Sequence, residues 1–357
     1  MSRFFTSLVD LNSTVGVLGA GSFGTTVASL LAANTNVLVY SRKVKKVEAI
    51  NIDHKNLGYD IPANVRATNS LGELASECQL IFPVLPSDVF RSTMKEISSH
   101  LHPYHIIIHG TKGFDLLNID MDRPYLKIRR SNIRTMSEVI SEETQVKRIG
   151  CLSGPNLSRE LMLGYPASSV LASKFDEVIQ IGHDVLNSSQ FKVYGSHDIL
   201  GTELAGALKN MIAVGTGIIG GLGLGKNVEA FFITRGLREL LIIGKKMGAE
   251  EKTFFGTAGI GDLIATATSP DSRNYSFGVR LAQGLSKAEI EAEAAELAEG
   301  VRTIRLIHYL SQTYQLEVPI VEALYALIYH NFPLDEAMSY LLNYPYSIDV
   351  DFLQGSY

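Results

Sequence analysis

Cysteine is almost missing from this chain of 357 residues, which carries only Cys78 and Cys151. Two cysteines cannot build a disulfide framework or a cysteine zinc site. Both lie in or beside apolar stretches and are expected to be small buried hydrophobes in a reducing, cytoplasmic compartment. A basic excess is also missing: 32 Lys and Arg stand against 37 Asp and Glu, a net charge of −5. A dedicated nucleic-acid binder would show the opposite balance. Charged residues are 19% of the chain and hydrophobic ones 46%, too little charge and too much apolar material for disorder. The longest glycine-rich uncharged run, Asn210–Gly225, is shorter than the roughly 20 residues a membrane span requires, so no integral membrane segment is expected. Met1–Thr14 carries Asp10 inside its apolar patch and shows no small-residue cleavage site, so no secretory leader is expected. There is no G-x-S-x-G elbow of a serine hydrolase. His102, His105 and His109 are closely spaced, but no cysteine or carboxylate completes a metal set, and no metal is expected.

What is present is an alternation. Short apolar runs at Val15–Leu18, Val37–Tyr40, Leu80–Leu85, Ile106–His109 and Arg148–Leu152 read as strands, with weaker candidates at Ser169–Ala172 and Phe191–Tyr194. A helical pattern follows the first strand, from about Ser22 to Ala33. Near-continuous apolar strands alternating with helices imply a mainly parallel, doubly wound α/β sheet buried on both faces. After about Ser196 only helices are predicted: Thr202–Ile219, Val228–Met247, Lys287–Leu297, Val301–Thr313, Val321–Tyr329 and Leu334–Leu342. Two domains are therefore expected, 1–197 and an all-α 198–357. The charge-rich stretch Asp115–Thr144 reads as a surface excursion.

Gly19-Ala20-Gly21-Ser22-Phe23-Gly24 is a G-x-G-x-x-G that leaves a strand and opens a helix, the context a dinucleotide site requires. The first glycine permits the tight turn, the second lets backbone approach a pyrophosphate, and the third allows close helix–strand packing. The helix N-terminus offers its N–H groups to the phosphates. The second strand ends Tyr40-Ser41-Arg42-Lys43 rather than in the carboxylate usual for NAD. Arg42 can pair with a ribose 2′-phosphate, so the cofactor is read as NADP(H), with NAD(H) left open.

Further candidates lie at strand ends and in the helical half. Lys112 sits in His109-Gly110-Thr111-Lys112-Gly113-Phe114, closing the fourth strand, and Ser153-Gly154-Pro155-Asn156 closes the fifth. Lys209 lies among small and apolar neighbours in Leu204–Ala213, where a lysine either snorkels to water or is buried and poised. Asp262 follows Gly259-Ile260-Gly261 ahead of an apolar turn, and either caps a helix or orients Lys209. Ser272-Arg273-Asn274 groups a hydroxyl, a guanidinium and an amide, a trio suited to phosphate unless it is a solvated loop.

Taken together, GAGSFGTTVA, VLVYSRK, VLPSDVFR, GTKGFD, LSGPNLSRE, ELAGALKN, GLGLGKN, TRGLRE, GIGDLIATATS, SRNYSFG and AEG resemble the bacterial-type NAD(P)-dependent glycerol-3-phosphate dehydrogenases over about residues 15–300. The resemblance implies a Rossmann-type domain plus a helical domain. It implies interconversion of dihydroxyacetone phosphate and sn-glycerol 3-phosphate, supply of phospholipid synthesis, and a homodimer. Residue by residue, it implies Lys209 as the catalytic lysine, with Lys112 touching substrate and cofactor. Gly154, Asn156, Asp262, Ser272, Arg273 and Asn274 match substrate positions. Ser22, Phe23, Arg42, Ser158, Arg273, Leu297 and Glu299 match cofactor positions. The family usually has Ser or Thr at Asn156 and Ala at Ser158, and the tail after about 340 is outside the shared pattern. Two other readings are a two-domain β-hydroxyacid reductase and a nicotinamide-binding regulator without catalysis.

Overall fold

The computed structural model describes residues 13–117, 119–121, 126–293 and 298–346. Eight strands form the main sheet: β1 (Val15–Leu18), β2 (Val37–Tyr40), β3 (Val65–Thr68), β4 (Leu80–Pro83), β5 (Ile106–His109), β6 (Arg148–Ser153), β7 (Ala167–Ser173) and β8 (Phe191–Ser196). Their order is β8-β7-β6-β5-β4-β1-β2-β3. β1, β2, β4 and β5 are buried along their whole length, which is why they read as unbroken apolar runs. The strands from β3 through β6 pair in parallel. β7 runs antiparallel to β6, and β8 runs parallel to β7. The strand order reverses between β1 and β4, so the crevice at their carboxyl ends is the ligand position of such sheets.

The helices of this half are α1 (Ser22–Leu31), α2 (Val44–Glu48), α3 (Leu71–Glu77), α4 (Ser87–Ile97), α5 (Met136–Glu143), α6 (Ser158–Met162) and α7 (Asp176–Leu186). Two apolar layers sandwich the sheet. One gathers Val17, Val27, Leu31, Val39, Phe82, Ile108 and their neighbours. The other gathers Leu18, Leu38, Ile81, Phe90, Met94 and Ile107.

The helical half comprises α8 (Ile199–Gly221), α9 (Lys226–Met247), α10 (Asp262–Ala267), α11 (Arg273–Ala282), α12 (Lys287–Glu293), α13 (Glu299–Tyr314), α14 (Pro319–His330) and α15 (Leu334–Leu342). The chain groups into two compact units. One takes the described residues to Asp115 and Arg134–Glu203; the other takes Leu116–Ile133 and the described residues from Leu204. The sequence reading put a single boundary at 197/198. The grouping falls six residues later and assigns 116–133 to the helical unit. α8 is long and apolar enough to cross a membrane, but 89% of that window is buried in protein. Its glycines serve close packing. A Cβ on Gly217 would lie 2.0 Å from the Tyr275 carbonyl oxygen, and one on Gly278 of α11 would lie 2.0 Å from that of Val214. The backbones of α8 and α11 therefore nearly touch.

The structure adds to or corrects the sequence reading at four places. The stretch 115–144 is not simply a surface excursion, because Ile128, Ile133, Met136, Val139 and Ile140 are buried. Its Thr135-x-x-Glu138 is a capping box: the Thr135 N–H donates to the Glu138 carboxylate at 2.9 Å. The apolar turn after Gly261 is helix α10, and Ser272–Asn274 is no solvated loop but the start of α11. The edge strand β3 was missed because Arg66 interrupts a four-residue run; it faces Glu73 and Glu77 on the surface.

Candidate active site

The glycine turn Gly19–Gly24 has the backbone geometry its glycines suggest. Gly19 has φ +127, and a Cβ there would meet the Val84 carbonyl oxygen at 2.5 Å. A Cβ on Gly24 would sit 1.9 Å from the Gly19 carbonyl oxygen, so strand end and helix start close on each other only without a side chain. Gly21 is different: a Cβ there meets nothing within 4 Å. It would project into open space at the N-terminus of α1, where the backbone of Gly21 and Ser22 is free to approach an anion. These residues fit a dinucleotide pyrophosphate. The ring of Phe23 packs 3.0 Å from where a Cβ of Gly110 would be, which explains that second glycine at the end of β5. Arg42 is exposed just past β2, Ser158 opens the short helix α6, and Glu299 opens α13. Leu297, the remaining cofactor candidate, lies outside the described residues.

The loops after β4, β5 and β6 are tied together. The Thr111 hydroxyl donates to the Leu85 carbonyl at 2.7 Å and accepts from the Leu85 N–H at 3.2 Å. The Lys112 ammonium donates to the Gly154 carbonyl at 2.9 Å. Gly154 has φ +154, and a Cβ there would lie 2.9 Å from Ser169 Cα, so only glycine presents that carbonyl. Asn156 donates to the Ser169 hydroxyl at 3.0 Å, leaving its buried Oδ1 without a protein partner. Lys112, Gly154 and Asn156 thus share one corner of the sheet unit. The same unit holds a buried His109–Glu203 contact that sequence reading passed over. His109 Nε2 is 2.9 Å from Glu203, whose carboxylate also accepts from the Ser137 N–H and hydroxyl. Burial works to raise the Glu203 carboxyl, but these partners outweigh it and hold it below the ordinary range.

In the helical unit, Lys209 is 4% exposed and Asp262 1% exposed, so the lysine does not snorkel. Its ammonium donates to the Asp262 carboxylate and to the Thr266 hydroxyl, and lies 3.5 Å from the Asp262 backbone oxygen. The Thr266 hydroxyl is in turn 3.4 Å from the Asp262 carboxylate. Asp262 and Thr266 stand four apart on α10, so one face of one helix presents both oxygens. Thr266 was missed as a site residue because it reads as part of the apolar run LIATAT; its i+4 spacing from Asp262 is the signal that finds it. A buried ammonium held by a carboxylate and a hydroxyl can deliver a proton to a developing oxyanion and recover it.

The second cluster of this unit lies at the start of α11. The Ser272 hydroxyl caps the helix by accepting from the Tyr275 N–H at 3.3 Å. Arg273 is exposed and Asn274 buried. Asn274 Oδ1 accepts from the Gly300 N–H at 2.9 Å, which fixes its amide so that Nδ2 is the remaining donor. A Cβ on Gly300 would meet the Asn210 carbonyl oxygen at 2.4 Å. Asn210 and Gly300 therefore meet backbone to backbone, and the Asn274 side chain is pinned to the same place. Among the described residues, no group of three or more His, Cys, Asp and Glu side chains is placed to hold a metal.

Comparison with known proteins agrees over nearly the whole chain. Residues 14–179 match the model of the NAD-dependent glycerol-3-phosphate dehydrogenase N-terminus, and residues 198–339 that of the C-terminus. A glycerol-3-phosphate dehydrogenase, NAD(P)+, of Macrococcus caseolyticus is 35% identical over 337 residues, covering 92% of this chain and 97% of its own. The corresponding protein of Alcanivorax borkumensis is 36% identical over 346 residues, covering 96% and 97%. The crystal structure of glycerol-3-phosphate dehydrogenase from Coxiella burnetii superposes with a TM-score of 0.83 at 29% identity, covering 94% of this chain and all of its own.

Proposed function

We infer the roles of individual residues from one premise: the chain belongs to the NAD-dependent glycerol-3-phosphate dehydrogenase family. It is an NAD(P)-dependent oxidoreductase that interconverts dihydroxyacetone phosphate and sn-glycerol 3-phosphate. The observation that carries the residue assignments is the buried Lys209–Asp262–Thr266 group.

When bound at the glycine turn, the dinucleotide supplies a hydride to C2 of the ketone. Negative charge then develops on the C2 oxygen, and the Lys209 ammonium gives it a proton. Asp262 and Thr266 accept hydrogen bonds from the Lys209 ammonium and so fix where its protons point. In the reverse direction Lys209 as amine takes the hydroxyl proton. General acid catalysis of this kind is worth about 10²–10⁴-fold. Lys112 contacts substrate and cofactor and adds positive field. Gly154 and Asn156 supply a carbonyl and an amide to the substrate. Ser272, Arg273 and Asn274 hold the phosphate, whose remote binding energy orients the ketone. Gly19, Gly21, Ser22, Phe23, Gly24, Arg42, Ser158, Arg273, Leu297 and Glu299 serve the cofactor, with Arg42 favouring NADP(H). We further propose a cytoplasmic homodimer whose product feeds phospholipid synthesis.

The test is oxidation of NADPH and, separately, of NADH by the purified protein, with and without dihydroxyacetone phosphate. Ketone-dependent turnover is expected, with a kcat/KM ratio favouring NADPH that Arg42→Ala reduces. Equal turnover of unphosphorylated dihydroxyacetone would overturn the phosphate-site assignment. Cofactor binding without turnover would point to a regulator.

A further inference from the structure

The carbonyl oxygen of Ala20, inside the phosphate-binding turn, is the target of two side chains from outside it. The Lys46 ammonium donates to it at 2.7 Å, and Asn56 Nδ2 at 3.2 Å. Asn56 Nδ2 also donates to the Thr25 hydroxyl at 2.8 Å, and that hydroxyl donates to the Gly21 carbonyl at 2.8 Å. Asn56 is 6% exposed, and its two amide hydrogens are accounted for by these two oxygens.

Peptide planarity turns these bonds into a statement about donors. In a trans peptide the N–H points opposite to the C=O. Drawing the Ala20 carbonyl toward Lys46 and Asn56 therefore aims the Gly21 N–H away from them. Anchoring the Gly21 carbonyl on Thr25 does the same for the Ser22 N–H. Both N–H groups belong to the turn at which Gly21 leaves open space. Left loose, the Ala20 peptide could rotate and offer an anion its oxygen instead.

Asn56 is delivered at some conformational cost. It lies in a two-stranded ladder, Lys55–Asn56 with Tyr59–Asp60, whose connecting residues Leu57 and Gly58 have φ +52 and +84. His54, just ahead of it, has φ +49. Left-handed backbone at Leu and His is unfavourable, and such strain clusters where geometry must be exact in function.

We propose that Asn56 and Lys46 form a two-donor latch on the Ala20 carbonyl that sets affinity for the dinucleotide, with Asn56 as positioning residue and Lys46 adding positive charge beside the pyrophosphate. The inference rests on the dinucleotide-binding reading above. Its test is direct binding of NADPH and NADH to the full-length protein by fluorescence titration, with the thermal midpoint measured in the absence of cofactor. Asn56→Ala is expected to raise the Kd for both cofactors about tenfold while the KM for dihydroxyacetone phosphate moves less than twofold. Lys46→Met is expected to raise the Kd several-fold, with a weaker salt dependence of binding than wild type, and Lys46→Arg to restore it. The double variant should fall short of the product of the single effects, because both donors share one acceptor. Kd values within twofold of wild type in both single variants would overturn the latch. A wild type that binds neither cofactor would instead overturn the dinucleotide reading itself. If Asn56→Ala loses its folded transition, Lys46→Met, altering a partly exposed side chain, decides alone.

Discussion

Lys209→Met removes one member of a buried ion pair, and the structure says what is left behind. Asp262, 1% exposed in the wild type, would lose the ammonium and keep the Thr266 hydroxyl 3.4 Å from its carboxylate. Breaking such a pair costs about 3–5 kcal/mol, and near-complete burial of both members means that solvent screening does not reduce it. The Thr266 hydroxyl still reaches Asp262, which places the cost near the lower end. For a unit of this size each kcal/mol moves the melting midpoint by about 2–4 °C, so a loss of roughly 6–15 °C is expected. kcat should fall about 10²–10⁴-fold. Adding Asp262→Asn replaces the buried carboxylate with an uncharged isostere and should return most of the lost stability, but none of the activity. Scanning calorimetry and steady-state kinetics on wild type, both single variants and the double variant form the assay. A midpoint within 2 °C of wild type for Lys209→Met, or a double variant no more stable than the single, would refute the buried-pair reasoning. Near-normal kcat would refute the catalytic role.

Two glycine substitutions should separate ligand space from packing space. Gly21→Ala, at φ −79 with nothing near its Cβ, should melt like wild type and bind NADPH at least tenfold more weakly; unchanged binding would remove the pyrophosphate from that turn. Gly24→Ala, with its Cβ 1.9 Å from the Gly19 oxygen, should lower the midpoint as well as the affinity. Arg273→Ala should raise the KM for dihydroxyacetone phosphate at least tenfold, and an unchanged KM would take phosphate recognition away from α11. Glu239 predicts a pH dependence of stability. It is buried and accepts the Ile320 and Val321 N–H groups at 2.6 and 3.1 Å, capping α14, and burial pushes its carboxyl up to about 8. The folded protein therefore keeps this proton above the ordinary value of 4.5, where the unfolded chain releases it. Its contribution is present in full below about 4.5 and is lost as the pH rises through about 8. Glu239→Gln should flatten the fall in melting midpoint between these limits, and a slope as steep as wild type's would exclude Glu239 as its source.

Much of this was legible in the sequence, for physical reasons. Strands buried on both faces have no choice but to be apolar throughout, so β1, β2 and β5 are plain. β3 is not, because an edge strand can carry Arg66 to solvent. The glycine turn is legible because its steric demands are local. Lys209 stood out because a lysine among Leu204, Ala205 and Ala207 lacks an ordinary surface environment. Its partners were harder to see. Asp262 is 53 positions away, and Thr266 hides in an apolar run because a threonine's hydroxyl does not disturb helical patterning. The latch on Ala20 joins Lys46 of α2, 26 positions away, and Asn56, 36 positions away in a hairpin whose left-handed residues, His54 and Leu57, carry no glycine or asparagine signal.

The near-contact of α8 with α11 has a consequence for substrate choice. The proposed proton donor Lys209 rides on α8, and the proposed phosphate anchors Arg273 and Asn274 open α11. Between those two helices the spacing is set by main chain against main chain at Gly217 and Gly278, and Gly300 of α13 comes as close to Asn210 of α8. Side chains can be exchanged one at a time to widen a pocket, but peptide planes cannot. On the roles proposed above, the helical unit is a caliper with fixed jaws that gauges the distance from a carbonyl to a phosphate. A ketone phosphate longer by one carbon should be rejected by length rather than by polarity, and admitting it would require a helix to move.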